Sequence, residues 1–298
     1  MAASELGYLP NRVARGLRQQ RTGILAHLTV GLRASFHARL AEGVQQTALD
    51  LGYSMILGTN FDKPRDVNYA KVFESYGVDG MVVVPGFPDD NLSGLAQRLP
   101  IVEVDRTLGP LGSAHAVLLD NAGAMALAVE HLHSLGHERI ALMAGDAPVS
   151  TELERRAGFS AALRALSLPA GPVILGEYTE EGGRRASKRL FELLGEVSAV
   201  VVTTNEMLAG LVLATRERGL RLPDDLSVTG LDDARWTRLT QPRMTVVEQP
   251  AYEMGVMAVK LLVKVVQAGR LPATQRVHRM PGRLIVGGST GPPSRRQT

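Results

Sequence analysis

The chain has 298 residues, 45% of them apolar and 21% charged, with a formal net charge of +3 and no cysteine. This is material for one large or two medium hydrophobic cores, and it excludes a disulfide framework and thiol chemistry. The longest apolar runs (MVVVP, AVVVTTN) are too short to span a bilayer, the first residues lack the apolar stretch of a signal peptide, and the small net charge confines any nucleic-acid affinity to local clusters, so a cytoplasmic protein with no membrane partner is expected.

One such cluster opens the chain. In LGYLPNRVARGLRQQR, Arg12, Arg15, Arg18 and Arg21 follow Asn11 with no acid between them, and Val13, Ala14 and Leu17 are apolar at helical spacing. Taken alone, the stretch reads as a short basic helix or as a solvated arm. From Gly23 onward, short β-rich runs alternate with helical periods. ILAHLTVGL precedes a helix from about 36 to 51, YSMILGTN one near 65–76, GMVVVPG one near 91–98, and PIVEVDR comes next. After Asp120 the rhythm resumes with helices over 122–135, 152–166, 182–194 and 207–218, separated by RIALMAGD, PVILGEYT and AVVVTTN and followed by LSVTGLDD. Strands alternating with helices of this length predict an α/β fold of parallel sheets built from right-handed crossovers. Nine strands in one sheet are possible; two open sheets of five or six fit usual sheet sizes better. The tail (TVVEQP, a helix over 252–268, VHRMPGRLIV) then has no partner strands of its own and is expected to cross back between two lobes.

In open α/β sheets ligands bind outside the carboxyl ends of the strands. Those ends carry Asn60, Asp105, Asp120, Asn205 and Asp232, which suit a polar, hydroxyl-rich ligand, although each also suits a helix cap or turn. No phosphate loop, nucleophile elbow or dinucleotide fingerprint occurs. HLHSLGH offers His133 and His137 at a metal-like spacing, but the pattern ends the helix at Gly136, so the geometry is poor and no metal or cofactor is expected.

LGYLPNRVARGL, GYSMILGTN, GVDGMVVVP, PIVEVDR, HLHSLGHERIALMAG, ERRAGFSAAL, LRLPDDLSVTGLDD and TVVEQPAYEMGVMAVKLL together resemble, collinearly from about 6 to 290, the lactose-repressor and galactose-repressor (LacI/GalR) family of transcription regulators. The resemblance implies a fold of the type I periplasmic-binding-protein kind, with two doubly wound lobes and a ligand cleft. It implies a non-enzymatic repressor that binds operator DNA as a homodimer and responds to a small effector, typically a sugar or nucleobase. By the same resemblance, Asn11, Arg12, Val13, Ala14, Arg15 and Leu17 form a hinge helix in the minor groove. Leu17 would wedge between base pairs and the arginines, Arg21 included, would lie near phosphates. The stretch 10–20 is expected to be marginal off DNA and to fold on it. Only MAASE precedes LGY, too little for a helix-turn-helix, so this polypeptide is expected to lack the major-groove reader.

Effector contacts implied by the resemblance are Phe36, Asp105, Thr151, Arg155, Tyr178, Asn205, Asp232 and Gln249. The family asparagine two residues before Phe36 is replaced by Ala34, Glu206 stands where an aspartate is usual, and LIVGGST brings two glycines that predict a looser last strand. The domain expectation is 1–21 for the end of the DNA-binding domain and hinge, 22–119 with about 250–277 for the N-terminal lobe, 120–249 with about 278–290 for the C-terminal lobe, and a disordered tail over 291–298. The alternative is a stand-alone sugar-binding protein of the periplasmic type without DNA binding; the hinge motif argues against it.

Overall fold

The computed structural model describes residues 21–59, 69–86, 92–107, 115–271, 274 and 276–294. The expected hinge residues Asn11 to Leu17, and Asn60, lie outside these. The chain divides into two compact units. Unit 1 holds the described residues of 21–117 except 33–39, with Tyr252–Val277; unit 2 holds 33–39, Leu118–Ala251 and the described residues from His278.

Unit 1 is built on β1 (Ile24–Thr29), α1 (Ser35–Asp50, its residues to 39 falling in unit 2), β2 (Ser54–Thr59), α2 (Tyr69–Ser75), β3 (Gly80–Val83), α3 (Leu92–Ala96), β4 (Ile101–Val104) and β5 (His115–Leu119, its last two residues falling in unit 2). Unit 2 continues with α4 (Asn121–Ser134), β6 (Ile140–Gly145), α5 (Ser150–Ala165), β7 (Val173–Gly176), α6 (Glu180–Glu192), β8 (Ala199–Val202), α7 (Asn205–Glu217), β9 (Ser227–Leu231) and β10 (Thr245–Glu248). The tail adds α8 (Ala251–Ala268), β11 (Val277–Met280) and β12 (Arg283–Ile285). The described residues form two six-stranded sheets, in the orders β11-β5-β4-β3-β1-β2 and β12-β10-β9-β8-β6-β7. Within each, the first five strands of the unit have the doubly wound order 2-1-3-4-5, and neighbours among β1 to β5, and among β6 to β10, are parallel. β12 runs antiparallel to β10. The tail thus supplies one edge strand to each sheet, β11 to the first and β12 to the second.

The central strands are largely apolar and buried because crossover helices cover both faces, whereas the edge strands β2 and β7 are partly exposed. MVV in β3 and AVVV in β8 are buried throughout. In the second sheet, the strand side chains lie among fully buried Leu190, Leu208 and Leu211 on one face and Phe159, Met125 and Leu132 on the other. Each such Leu or Phe contributes about 1.5–3 kcal/mol by leaving water. Helix starts follow capping chemistry: Asp120, Thr179 and Thr204 accept from the backbone N–H of Gly123, Gly182 and Met207 at the openings of α4, α6 and α7. Asp120 therefore serves as a cap, the turn-type role that also suits a strand-end acid.

Three expectations change on meeting the structure. Arg21 does not stand free for phosphate: its Nη2 donates to Val266 O at 2.8 Å and Gln267 O at 3.2 Å, covering carbonyls in the last turn of α8. The segment after β12 is not loose. A Cβ on Gly287 would collide with the Arg243 carbonyl oxygen, Gly288 N–H donates to that oxygen at 2.8 Å, and Ser289 is fully buried. The glycine is there for close backbone approach. The packed structure also runs past the expected tail boundary at 291, because Gly291 O accepts from His137 Nε2 at 2.8 Å and from Ser227 Oγ at 3.1 Å.

Candidate ligand-binding site

The strand order of unit 2 reverses between β6 and β8, the place where an open α/β sheet leaves a crevice at its carboxyl ends. The side chains gathered there come from the segments just after β6, β7, β8 and β9. α5 begins at Ser150, two residues earlier than expected, which puts Thr151, Glu152 and Arg155 in its first two turns. Arg155 is 6% exposed; its Nε donates to Asn121 Oδ1 at 2.9 Å and its Nη1 to Thr203 O at 3.1 Å. Among the described residues no acceptor engages its Nη2. A buried guanidinium held on two nitrogens retains donors for a hydroxyl or carboxylate.

Thr203, at the end of β8, joins two parts of this group. Its Oγ1 donates to Glu152 Oε2 at 3.0 Å, and Tyr178 OH approaches the same oxygen at 3.3 Å. Tyr178 lies over the end of β6 because residue 145 is glycine; a Cβ there would collide with the phenol ring. Arg156 Nη2 donates to the Gly145 carbonyl oxygen, and Thr151 is buried beside Glu152. The neighbouring acids have other partners: Arg156 faces Glu152 and Arg279 pairs with Glu154.

Asn205 opens α7, where its Oδ1 accepts from Trp236 Nε1 at 2.6 Å and its Nδ2 donates to Ser35 Oγ at 3.2 Å. Glu206 next to it is pushed up from the ordinary carboxylate value, chiefly by burial. Asp232 follows β9 and accepts from Gln249 Nε2 at 2.8 Å, so two expected residues meet directly. Phe36, near the start of α1, is 7% exposed and sets its ring edge-on to His37 at 5.2 Å.

Asp105 follows β4 in unit 1. It is 4% exposed, its Oδ2 accepts from Arg106 Nε at 3.0 Å, and Arg106 N–H bonds Val104 O at 2.8 Å across it, closing a three-residue turn. Asp105 and Asp232 share a feature invisible in the sequence: φ is +71° at one and +73° at the other. Each follows the fourth strand of its unit, and each donates its N–H to the fifth, to Val117 O and Val247 O. A left-handed aspartate costs about 1–3 kcal/mol, and such strain concentrates where a side chain has to be aimed.

Sequence reasoning does not reach Asn121, Glu152, Thr203 and Trp236 as members of the site. The sole tryptophan, shortly after GLDD, is the one signal that could have pointed there. His137, by contrast, is structural: it is 1% exposed, with Nδ1 2.7 Å from Ser198 Oγ and Nε2 on Gly291 O. Among the described residues no three His, Asp or Glu side chains gather as metal ligands.

The architecture and the strand-end polar set define a periplasmic-binding-protein-like domain, and the model of that family matches residues 129–290. The chain is 30% identical to the catabolite control protein A of Priestia megaterium over 87% of this chain and 80% of that protein. It is 32% identical to the transcriptional regulator PtxS of Pseudomonas plecoglossicida over 96% of this chain and 84% of that one. Among solved structures, the complex of the transcriptional regulator CelR with cellobiose superposes with a TM-score of 0.82 at 28% identity, covering 97% of this chain and 88% of that one. This chain belongs to the LacI family of transcriptional regulators. The relatives are regulators rather than enzymes, and among the described residues no helix is long and apolar enough to cross a membrane.

Proposed function

We propose that the protein is a cytoplasmic, ligand-responsive repressor whose core binds a sugar or related polyhydroxy effector and passes that event to operator DNA. The observation that carries this reading is Arg155, a buried cation anchored on Nε and Nη1 at the sheet's switch point. The polar side chains of Thr151, Tyr178, Asn205, Asp232 and Gln249 in the same unit support it. Carboxylates accept pairs of hydroxyl hydrogen bonds and a guanidinium donates them, which is the chemistry a sugar presents. The cellobiose held by CelR supports the same ligand class. Effector binding shifts operator affinity to the extent that it favours one state of the protein over another. DNA is engaged by a homodimer through residues 11–17, with Leu17 as the minor-groove wedge and no catalytic step.

The test is a thermal-shift screen of the full chain against pentoses, hexoses, disaccharides, polyols and nucleobases, repeated with Arg155→Ala and Asp232→Ala. A sugar that raises the Tm of the unsubstituted protein and loses that effect in both variants is the expected outcome. Stabilisation that both variants retain, or that only nucleobases produce, overturns the sugar site.

A further inference from the structure

Asn121 is fully buried between two charged partners. Its Oδ1 faces Arg155 Nε, which only donates, and its Nδ2 donates to Glu154 Oε2 at 2.9 Å, which as a carboxylate only accepts. The amide therefore has one permitted orientation, because the flipped form would set donor against donor and acceptor against acceptor. Glu154 is gripped in turn by Arg279 through a two-bond fork, Nη2 to Oε1 at 2.7 Å and Nη1 to Oε2 at 3.0 Å. Arg279 Nη1 also reaches Leu119 O at 3.3 Å. Burial opposes the charge on Glu154, but the bonds from Arg279 and Asn121 prevail and hold its carboxyl below the ordinary value of 4.5, so it is ionised at neutral pH. A full negative charge on one side of an amide polarises it, strengthening the bond its oxygen accepts on the other. The relay begins close in sequence to 117–118 and 277–278, two of the five points at which the chain passes from one unit to the other.

We propose that Asn121, Glu154 and Arg279 are positioning residues that fix the plane of the Arg155 guanidinium, so that the affinity of the effector site is set partly from the β11 segment. This rests on the reading of Arg155 as an effector contact. Arg279 and Glu154 touch no ligand in this scheme; they act through the Asn121 amide.

The side-chain Nε–H resonance of Arg155 in the 15N-labelled full chain, assigned by its loss in Arg155→Lys, reports the relay with no effector added. In Glu154→Gln and in Arg279→Ala its exchange with solvent is expected to rise about tenfold, the effect of losing one charge-assisted hydrogen bond. Arg279→Lys, which keeps the charge, should recover part of that protection. Arg184→Ala, which deletes only the exposed pairs with Glu217 and Glu181, should leave it unchanged. Exchange within about twofold of wild type in both relay variants overturns the proposal, since a bond of this strength cannot vanish unnoticed. The sugar screen fails separately. If Arg155→Ala keeps the sugar-dependent Tm rise while the exchange data show the relay, the arginine is held in place but not for the effector, and the affinity half of the proposal falls with the site.

Discussion

At the scale of single residues, the strand ends carry strain as well as polarity. Asp105 and Asp232 sit at positive φ, where glycine is at ease and aspartate is not. Replacing Asp232 by glycine removes the strain together with the carboxylate that Gln249 holds. Asp232→Gly is therefore expected to leave the Tm unchanged or raise it, a gain of up to about 1 kcal/mol, while abolishing the sugar response. Calorimetry with and without the sugar that emerges from the screen checks both halves; a large loss of stability would mean that the left-handed geometry is unstrained. The family resemblance leads to Arg155, Asn205, Asp232 and Gln249, and strand-end position alone points to two of them. What stands behind Arg155 is not legible in the sequence. Asn121 lies 34 residues away, and Arg279 lies 125 residues from Glu154, with no local pattern linking them. A buried amide between two charges is a tertiary fact.

At the scale of elements, periodicity locates nearly every helix and strand, because parallel strands buried on both faces leave an unbroken apolar signature. It fails after β12, where GGST suggests looseness. Glycine at 287 marks close contact with Arg243, and the segment is pinned by Ser289, by Thr290 Oγ1 against His131 Nε2 at 2.9 Å, and by Gly291 O on His137. Both histidines are held below their ordinary value of 6.5, His131 by burial, and His137 by burial and the nearby His131 against the raising effect of the Gly291 bond. A histidine with a lowered folded pKa is protonated more readily once unfolded. Its contribution is complete above about pH 6.5 and is lost as pH falls from there towards the folded value. Tm is expected to drop more steeply between about pH 7.5 and 5.5 in the wild type than in His137→Gln. Parallel slopes would show that the pair does not govern acid sensitivity.

For the whole molecule, the function proposed assigns effector binding to the two-sheet core and DNA contact to the start of the chain. The arginines there are not equivalent. Arg21 is committed to the carbonyls of α8, whereas Arg12, Arg15 and Arg18 are proposed phosphate contacts. Substituting Arg15 or Arg18 by alanine is expected to reduce the salt dependence of DNA binding by about 0.9 in log–log slope each. Arg21→Ala should leave that slope alone and lower stability by about 0.5–1 kcal/mol through the lost helix-end contact. Fluorescence anisotropy on duplex DNA across a salt series, alongside thermal melts, separates the two groups. Equal slopes for all three variants would deny the division.

Each sheet takes its final edge strand, β11 or β12, from the closing stretch of the chain. Neither half of the protein is therefore finished when the ribosome has made it. A nascent chain halted near residue 275 contains every proposed effector contact, yet both sheets still wait for an edge. Synthesis at roughly 5–20 residues per second leaves that interval open for seconds. A truncation before residue 277 therefore leaves both sheets without an edge strand rather than one.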